Sequence, residues 1–404
     1  MIPVEEALAR ILSAFEPLPS ETVSLSGALG RVLAEPVVAR VSQPPKAVSA
    51  MDGYAVRAAD VARVPAALRQ IGEVAAGSAF DGTVGAGETV RIFTGAPLPD
   101  GTDAIVIQED TEADSDRITM KESVPVGHYV RPAGLDFRAG ATGLKVPRVL
   151  TARDIGLAAA MNVPWLRVRR RPRIAILATG DEVVMPGDPV GANQIVSSNA
   201  LALSALVEVC GGEALNLGIA GDNEDSLRRL AAGAAGADLL VTTGGASVGK
   251  HDLVHKVLGQ EGFALDFWKV AMRPGKPLMF GRVGGTALLG LPGNPVSALV
   301  CGVLYLRPAI GRMLGLDGHE KPQETAVLAA DLGPNDKRQD YLRAALSIDE
   351  QGRRCALPYQ RQDSSMLATL AYADCLIVRP PLAPAAKAGD LVEIVPLAGS
   401  LLSI

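Results

Sequence analysis

Apolar and polar positions switch between a strand pattern and a helix pattern from residue 173 to residue 306. Short apolar runs typical of buried strands are separated by stretches with helical spacing. The predicted order is strand Ile174–Leu177, helix Asn199–Val209, strand Ala214–Ile219, helix Asp225–Ala232, strand Leu239–Thr242, a helix after Asp252, strand Ala287–Leu291 and helix Pro295–Leu306. Strands that alternate with helices in this way form βαβ units. The pattern therefore predicts a three-layer α/β domain with a parallel-rich sheet.

Shorter apolar runs, separated by Gly, Pro and Asp, predict β-rich regions on both sides of this unit. Between residues 43 and 140 they include Glu88–Phe93 and Ala104–Ile107. After residue 323 a turn at Gly389 and Asp390 precedes the last of four runs, which are Val327–Leu332, Tyr341–Leu346, Cys375–Val378 and Leu391–Val395. Such a series is typical of a β-barrel or a sandwich.

Two helical patterns border the first β-rich region. One runs from Val4 to Phe15, and the other runs from Thr151 to Met161, with Thr151 as its N-cap and Asp154 in its first turn. We expect the Ala/Leu face of the second helix to pack against the first helix. The chain then divides into a discontinuous linking domain (1–42 and 141–168), an inserted β-rich domain (43–140), an α/β domain (169–322) and a C-terminal β domain (323–404).

Composition and charge exclude several classes of protein. With 404 residues the chain is too long for one core, and 39 basic against 44 acidic residues give a net charge of −5. This charge provides no general attraction for nucleic acid or for an anionic membrane surface, so we expect neither as a partner. Any anionic ligand must be bound by local charges.

The remaining composition predicts a cytoplasmic protein. Four cysteines are scattered without the spacing of a zinc site or a disulfide framework. The first residues include Glu5 and Glu6, where an export signal would be basic and then strongly apolar. The uncharged run from Thr286 to Leu306 is divided at Pro292-Gly-Asn-Pro295 into a strand and a helix of ~11 residues, about half of what a membrane span needs.

A glycine-rich turn follows the strand that ends near Thr242. The run Val241-Thr-Thr-Gly-Gly-Ala-Ser-Val-Gly249 brings Gly244 and Gly245 to the place where open α/β sheets bind anions, and Asp252 follows three residues after the last glycine. Turns of this kind also close ordinary strand-to-helix connections. The turn predicts a phosphate site only together with the residues around it.

Carboxylates follow several of the predicted strands. Thr179-Gly-Asp-Glu182, Asp222 and Asp252 all lie past strand carboxyl ends, so they should border one crevice. Each acid taken alone is explained by capping or turn formation. Clustered carboxylates favour a bound cation, and hard oxygen ligands favour Mg²⁺ completed by a substrate phosphate. We therefore predict Glu182, Asp222 and Asp252 as metal ligands.

Cations and a helix N-terminus come next along the chain. Lys269, Arg273 and Lys276 stand on a turn stiffened by Pro and Gly, which suits an oxyanion but also describes an ordinary basic surface turn. The loop Gly290-Leu-Pro-Gly-Asn-Pro-Val-Ser-Ala298 then delivers a helix whose first N–H groups can bind a second phosphate, although Asn294 also suits a simple cap.

Read together, these motifs resemble the molybdopterin molybdenumtransferase family, which includes the bacterial MoeA proteins and the E domain of gephyrin. The resemblance covers nearly the whole chain, in matching order. It rests on Ser49-Ala-Met-Asp-Gly-Tyr-Ala55, Phe93-Thr-Gly-Ala-Pro97 with Gly101-Thr-Asp-Ala104, Thr179-Gly-Asp-Glu182, Thr242-Thr-Gly-Gly245 with Ser247-Val-Gly249, Pro274-Gly-Lys-Pro277 and Leu291-Pro-Gly-Asn-Pro-Val-Ser-Ala298.

The resemblance implies the last step of molybdenum cofactor assembly. Adenylylated molybdopterin is cleaved with the help of Mg²⁺, molybdate joins the dithiolene, and AMP leaves. It implies a MogA-like α/β domain and a catalytic set of Asp52, Asp136, Glu182, Asp222, Asp252, Lys269 and Arg273. The implied substrate-binding residues are Thr94, Thr179, Asp181, Asn199, Gly244, Gly245, Ser247, Lys276, Pro292, Asn294, Pro295, Ser297, Arg343 and Ser364.

The resemblance also implies a homodimer. Its cleft is shared between the α/β domain of one subunit and the inserted domain of the other, which brings Asp52 to Asp252. Transient partners would be a molybdopterin adenylyltransferase and the enzymes that accept the cofactor. Two departures from the family pattern put the metal stoichiometry in question: Ser197-Ser-Asn199 replaces an Asp-Ser-Asn or Asp-Thr-Asn turn, and Arg273 stands where Lys is usual.

Two other functions remain open from the sequence. The α/β unit with Thr242-Thr-Gly-Gly245 also resembles molybdopterin adenylyltransferases, which are usually single domains. A non-catalytic scaffold is the other alternative, since gephyrin has such a role. The inserted domain, the β-rich tail and the acids around an oxyanion loop favour the molybdenum-inserting reaction.

Overall fold

The computed structural model describes residues 1–244, 264–316 and 324–397. The predicted helix after Asp252 lies outside the described residues, as do Gly245 and Ser247.

A mixed six-stranded sheet forms the centre of the α/β domain. In spatial order its strands are Glu213–Ala220, Arg173–Thr179, Leu239–Thr243, Thr286–Leu291, Met279–Val283 and Ala264–Trp268. The first four are mutually parallel, and Met279–Val283 runs antiparallel to both of its neighbours, so the prediction of a parallel-rich sheet is confirmed. The short strands of this domain are Val183–Val184, Ile195–Val196 and Met272–Arg273.

Helices cover both faces of this sheet. They are Asn199–Val209, Glu224–Ala231, Pro295–Cys301 and Arg307–Met313, with a 3-10 turn at Ala232–Ala234 and a π-helical turn at Gly302–Leu306. Two separate apolar clusters lie against the sheet, one containing Ile176 and Val300 and the other containing Leu177 and Leu227. Side chains of successive strand residues point to opposite faces, so both faces of strand Arg173–Thr179 are buried.

The helix that begins at Pro295 is longer than the sequence pattern predicts. It continues past Leu306 through Met313 as one helix of 19 residues, which by length and composition alone could cross a membrane. Val296, Val300 and Ile310 belong to the central apolar cluster of the α/β domain. Its apolar character is therefore that of a core helix.

The linking region is formed by two segments of the chain, one before and one after the inserted domain. Its four-stranded sheet contains Ser20–Ser24, Trp165–Arg169, Val32–Leu33 and Arg148–Val149, and a two-stranded pair joins Val37–Val38 to Thr142–Leu144. A 3-10 turn spans Leu25–Gly27, and the two helices are Val4–Ser13 and Ala152–Ala160. The second helix begins with a complete capping box between Thr151 and Asp154, as its sequence predicts.

The predicted contact between these two helices is wrong. Ala7 and Ile11 of the first helix lie in the core of the α/β domain and contact helix Arg307–Met313. Ala158 of the second helix lies in a separate cluster with residues of the linking sheet, such as Leu33. Each helix has an apolar face, and periodicity alone does not specify which partner covers that face.

The inserted domain is built on a six-stranded sheet. In spatial order its strands are Ala104–Ile107, Gly53–Val56, Glu88–Ile92, Ala66–Val74, Arg117–Met120 and Thr111–Asp114. A further pair joins Val48–Ser49 to Val130–Arg131, and 3-10 turns span Ala58–Val61 and Gln108–Asp110. Apolar clusters on the two faces of this sheet give the domain its own core.

The C-terminal domain is a closed five-stranded barrel. Around the ring the strands are Gln339–Ile348, Arg354–Pro358, Glu324–Leu328, Leu391–Pro396 and Cys375–Arg379, which pairs again with the first. A short helix, Leu367–Ala371, precedes strand Cys375–Arg379. Of the barrel and the sandwich that the sequence pattern left open, the structure shows the barrel. Closure removes the free edges that an open β-sheet of this size would expose.

Gly53 allows two strands of the inserted sheet to approach closely. A Cβ atom at this position would lie 2.1 Å from the carbonyl oxygen of Val106 on the neighbouring strand. We expect Gly53→Ala to destabilise the inserted domain by about 1 to 3 kcal/mol, because the clash is with backbone that cannot rotate away. Hydrogen exchange of the amides in Gly53–Val56 and Ala104–Ile107 should become faster.

Gly156→Ala is the matched control. Gly156 lies inside helix Ala152–Ala160, and no atom lies within 4 Å of the position of an added Cβ. This change should stabilise the protein by about 0.5 to 1 kcal/mol, since it reduces the freedom of the unfolded chain. If Gly53→Ala left amide exchange as slow as Gly156→Ala does, the close approach of the two strands would be contradicted.

Candidate functional site

A cavity of about 900 Å³ opens at the carboxyl ends of the parallel strands. Strands Arg173–Thr179, Leu239–Thr243 and Thr286–Leu291 all end at its wall. Ten predicted site residues line it: Thr179, Glu182, Asn199, Gly244, Lys269, Lys276, Pro292, Asn294, Pro295 and Ser297. The edge of the sheet where the sequence places the site therefore forms a single hollow.

Asn199 ties the ends of two strands together. Its side-chain amide donates to the Thr243 hydroxyl at 2.9 Å and to the carbonyl oxygen of Gly293 at 2.7 Å. The Thr243 hydroxyl in turn donates to the carbonyl oxygen of Pro292 at 3.3 Å. These bonds hold the loop before helix Pro295–Cys301 against the end of strand Leu239–Thr243, so Asn199 fixes the floor of the cavity.

Gly244 lets the glycine-rich turn leave its strand close to Thr179. Its φ is +92°, and a Cβ atom there would lie 2.5 Å from the Thr179 carbonyl oxygen. Only glycine accepts both constraints without strain. The adjacent hydroxyl of Thr179 is buried, lines the cavity and has no hydrogen-bond partner among the described residues. A buried hydroxyl without a partner is costly, which marks it as a group that a ligand can satisfy.

Two lysines supply positive charge to the cavity wall. Lys269 and Lys276 lie on one turn, in which the Val270 amide donates to the Lys276 carbonyl oxygen at 3.1 Å. The Lys269 ammonium lies 5.2 Å from the ring centre of Trp268, a cation–π distance. The backbone of Lys269 has a φ of +80°, a conformation that is rare for a residue with a side chain.

Arg273 departs from the predicted arrangement. It does not line the cavity, and its guanidinium donates through Nε and a terminal nitrogen to the same oxygen of Asp340 in the C-terminal barrel. Asp340 is 3% exposed, so an unpaired carboxylate there would be costly. The predicted trio of cations around one anion is therefore reduced to Lys269 and Lys276 in this structure.

The barrel contributes a loop to the cavity. The Ser364 hydroxyl accepts a hydrogen bond from the Asn294 side chain at 2.9 Å, and its carbonyl oxygen accepts one from the Val296 amide at 3.1 Å. The neighbouring Ser365 and Leu367 line the cavity, whereas Ser364 does not. Asn294 therefore makes its side-chain contact across the domain boundary and is not a side-chain cap of its own helix.

Arg343 holds this loop from below. It is 1% exposed, and its guanidinium donates to the Gln362 side chain at 3.2 Å and to the carbonyl oxygens of Asp363 and Met366, both at 3.0 Å. Burial lowers the pKa of this guanidinium. In this structure Arg343 supports the loop that reaches the cavity and does not itself line the cavity.

The predicted acids are not gathered as the sequence suggests. Glu182 lines the cavity, whereas Asp181 accepts a hydrogen bond from the Asp222 amide at 2.9 Å and ties two loops together. Asp222 is exposed and does not line the cavity, and Asp252 lies outside the described residues. Within residues 1–244, 264–316 and 324–397, no three His, Cys, Asp or Glu side chains form a metal-binding group.

Asp52, Thr94 and Asp136 lie in the inserted domain and do not line the cavity of their own chain. The Asp52 carboxylate accepts hydrogen bonds from the Thr94 amide at 2.7 Å and from the Thr94 hydroxyl at 2.8 Å. These bonds, with the positive charge of Arg91, lower the pKa of Asp52. Asp52 is exposed, so it is an ionised carboxylate presented to solvent. Asp136 is also exposed.

Several residues of the wall were not predicted from the sequence. The apolar ones are Ala178, Val183, Ile195, Val196, Pro277 and Leu367, and the others are Ser197, Ser198, Thr243, Gly293 and Ser365. Ile195 and Val196 pair in parallel with Val183 and Val184 across a Gly- and Pro-containing loop. An apolar pair inside a polar loop was the available signal for these two residues.

Three family models match successive parts of the chain. Residues 2–162 match the MoeA N-terminal region (domain I and II), residues 175–312 match a "Probable molybdopterin binding domain", and residues 325–397 match the MoeA C-terminal region (domain IV). The cavity lies mainly in the second segment, with Ser365 and Leu367 contributed by the third.

Curated proteins and solved structures are similar over nearly the full length. The chain is 33% identical to the molybdopterin molybdenumtransferase of Haemophilus influenzae, covering 98% of both proteins. It is 36% identical to molybdopterin molybdenumtransferase 2 of Mycobacterium tuberculosis, covering 96% of this chain and 97% of the other. The crystal structure of the molybdopterin biosynthesis MoeA protein of Pyrococcus horikosii superimposes with a TM-score of 0.86 at 30% identity, covering 99% of this chain and 100% of that one. The chain therefore belongs to the molybdopterin molybdenumtransferase (MoeA) family of molybdenum cofactor biosynthesis.

Proposed function

We propose that this protein inserts molybdate into adenylylated molybdopterin and releases AMP. The observation that carries the proposal is a cavity of about 900 Å³ whose wall holds Lys269, Lys276 and the buried Thr179 hydroxyl, which has no hydrogen-bond partner among the described residues. Both substrates are anions, and the chain as a whole is acidic, so local cations are needed to bind them. The cavity provides these cations beside a hydroxyl that has no partner in the described part of the chain.

Different residues of the cavity bind different parts of the substrates. Lys269 and Lys276 neutralise phosphate and molybdate oxygens, and Thr179 supplies a hydroxyl contact. Ser297 adds a second hydroxyl at the helix N-terminus. Val183 and Ile195 give part of the wall an apolar surface suited to a planar ring. Holding both anions in one hollow promotes their reaction by proximity.

A magnesium ion fits this site only if the substrate completes its coordination. Among the described residues the cavity offers one acidic side chain, that of Glu182, and Asp252 lies outside the described part of the chain. Mg²⁺ commonly takes one or two protein carboxylates and fills its remaining positions with water and phosphate oxygens. A bound ion would supply charge neutralisation at the phosphate oxygens.

We further propose a cytoplasmic homodimer with a shared cleft. Asp52 and Thr94 do not line the cavity of their own chain, yet they form an ordered, exposed carboxylate–hydroxyl pair. A cleft completed by the inserted domain of a second subunit gives this pair a substrate to contact. A molybdopterin adenylyltransferase and cofactor-accepting enzymes would be transient partners.

The adenylyltransferase alternative explains only part of the chain. It accounts for the segment that matches the "Probable molybdopterin binding domain", but the matches at residues 2–162 and 325–397 are to MoeA regions. A scaffold without catalysis leaves without a role the two lysines and the Thr179 hydroxyl, which lacks a partner within residues 1–244, 264–316 and 324–397. The molybdenum-inserting reaction accounts for both sets of observations.

Incubation of the purified protein with adenylylated molybdopterin, molybdate and Mg²⁺ tests the proposal. AMP should be released, and the product should activate a cofactor-free molybdenum enzyme. Lys276→Met should slow AMP release by about 100-fold, because one cation at the reacting anions is lost. Lys145→Met, an exposed lysine away from the cavity, is the control. Transfer of AMP onto molybdopterin from ATP, without molybdate insertion, would instead support the adenylyltransferase alternative.

A mixture of two variants tests the shared cleft. Asp52→Asn and Lys276→Met should each be inactive, since each removes one half of the site. After the subunits exchange, half of the dimers are mixed and each mixed dimer has one intact site, so activity should recover to about a quarter of the wild-type rate. Recovery is measured as AMP release. A mixture as inactive as its parents would place the whole site within one chain.

Thr179→Val tests the buried hydroxyl. Removing a buried hydroxyl that has no partner among the described residues should stabilise the free protein by about 1 kcal/mol, whereas affinity for the adenylylated substrate should fall about 10-fold or more. Thr242→Val is the matched control, because its hydroxyl is also buried without a partner in the described structure but does not line the cavity. Calorimetric unfolding and ligand titration measure both effects. Equal substrate affinity in the two variants would exclude Thr179 as a ligand contact.

A further inference from the structure

The turn that carries the two cavity lysines is part of the α/β domain and also pairs with a strand of the barrel. It connects strands Ala264–Trp268 and Met279–Val283 of the central sheet. Within it, Met272–Arg273 forms a short strand that pairs in parallel with Gln339 and Asp340 of the barrel. The Gln339 amide donates to the Ala271 carbonyl oxygen at 2.9 Å. The turn thus adds a short strand beside the first residues of barrel strand Gln339–Ile348.

One ion pair reinforces this junction. Asp340 is 3% exposed, and one carboxylate oxygen accepts both donors of Arg273, with an Nε distance of 3.1 Å. Its other oxygen has no partner in the described structure. Arg273 is therefore the group that neutralises a buried carboxylate of the barrel, and the same bonds raise the pKa of the guanidinium. Asp336, 44% exposed, lies 3.5 Å from a terminal nitrogen of Arg273 and is a peripheral partner.

Backbone hydrogen bonds connect the segments that carry the two lysines to each other and to this ion pair. The Lys269 amide donates to the Leu278 carbonyl oxygen at 2.9 Å, and the Val270 amide donates to the Lys276 carbonyl oxygen at 3.1 Å, so the turn closes on itself. Met272, between the lysines and fully buried, accepts a hydrogen bond from the Tyr305 hydroxyl at 3.4 Å. These bonds connect the backbone that carries both lysines to the short strand that pairs with the barrel.

We propose that Arg273 and Asp340 form a latch between the α/β domain and the barrel, and that this latch positions Lys269 and Lys276 for the substrate anions. Arg273 is then a positioning residue and not an anion ligand. The proposal rests on the proposed function for its substrate. It gives the barrel a defined part in the reaction, since the position of the cationic turn depends on Asp340.

Asp340→Asn distinguishes the latch from a direct anion contact, because the two make opposite predictions. If Arg273 bound the anion, releasing it from Asp340 would leave substrate affinity unchanged or increase it. With the latch, the loosened turn should raise the KM for molybdate in the AMP-release assay by about 10-fold, the effect of losing one charge-assisted contact. Asp336→Asn, which removes an exposed and peripheral carboxylate, should leave KM unchanged. Arg273→Lys keeps a cation within reach of Asp340 and should retain most of the activity, whereas Arg273→Gln should not.

Hydrogen exchange of the full-length protein provides a measurement that needs no substrate. In Asp340→Asn the amides of Met272 and Gln339 should exchange about 10-fold faster, while those of strand Arg173–Thr179 remain as slow as in the wild type. Unchanged exchange at Met272 and Gln339, or faster exchange with an unchanged or lower KM, would overturn the latch. A wild-type protein that releases no AMP would overturn the proposed function, and the positioning role with it, whatever the exchange result.

Discussion

Parallel strands that end at one edge of the central sheet determine the position of the cavity floor. Strands Arg173–Thr179, Leu239–Thr243 and Thr286–Leu291 are buried on both faces along nearly their whole length, so a ligand can reach their polar groups only where the strands stop. Thr179, Thr243 and the Pro292–Gly293 loop meet there, and the amide of Asn199 joins the last two by bonds of 2.9 and 2.7 Å. If Asn199 lost these bonds, the loop before helix Pro295–Cys301 would no longer be fixed to the neighbouring strand. The proposed anion site depends on this fixed edge.

The second constraint is that the cavity wall is built by two domains. The barrel contacts the α/β domain at two cavity loops, through Asp340 at the cationic turn and through Ser364 at Asn294. Both contacts use a buried or half-buried polar group that would be costly to leave unpaired, which explains why they are specific. Arg343 makes the second contact rigid by filling the space beneath the loop with a fully bonded guanidinium. The barrel therefore forms part of the cavity wall.

Sequence patterns located the elements better than the contacts between them. The bounds of helix Asn199–Val209 were predicted to the residue, because an apolar run and its flanking polar residues define a local structure. The packing partner of the opening helix was predicted wrongly, because an apolar face does not specify which surface covers it. In the same way, motif spacing placed Lys269, Arg273 and Lys276 on one turn. The spacing could not show that Asp340, 67 residues after Arg273, binds the Arg273 guanidinium.

The two kinds of cation on this turn are suited to different tasks. A guanidinium offers a rigid fork of donors and is weakly hydrated, so it matches a buried carboxylate such as Asp340. A lysine ammonium is a compact point charge on a flexible stem, which can follow an anion as bonds form and break. Lys269 and Lys276 face the cavity, while Arg273 faces the barrel. Each kind of cation on this turn therefore stands where its donor geometry suits its partner.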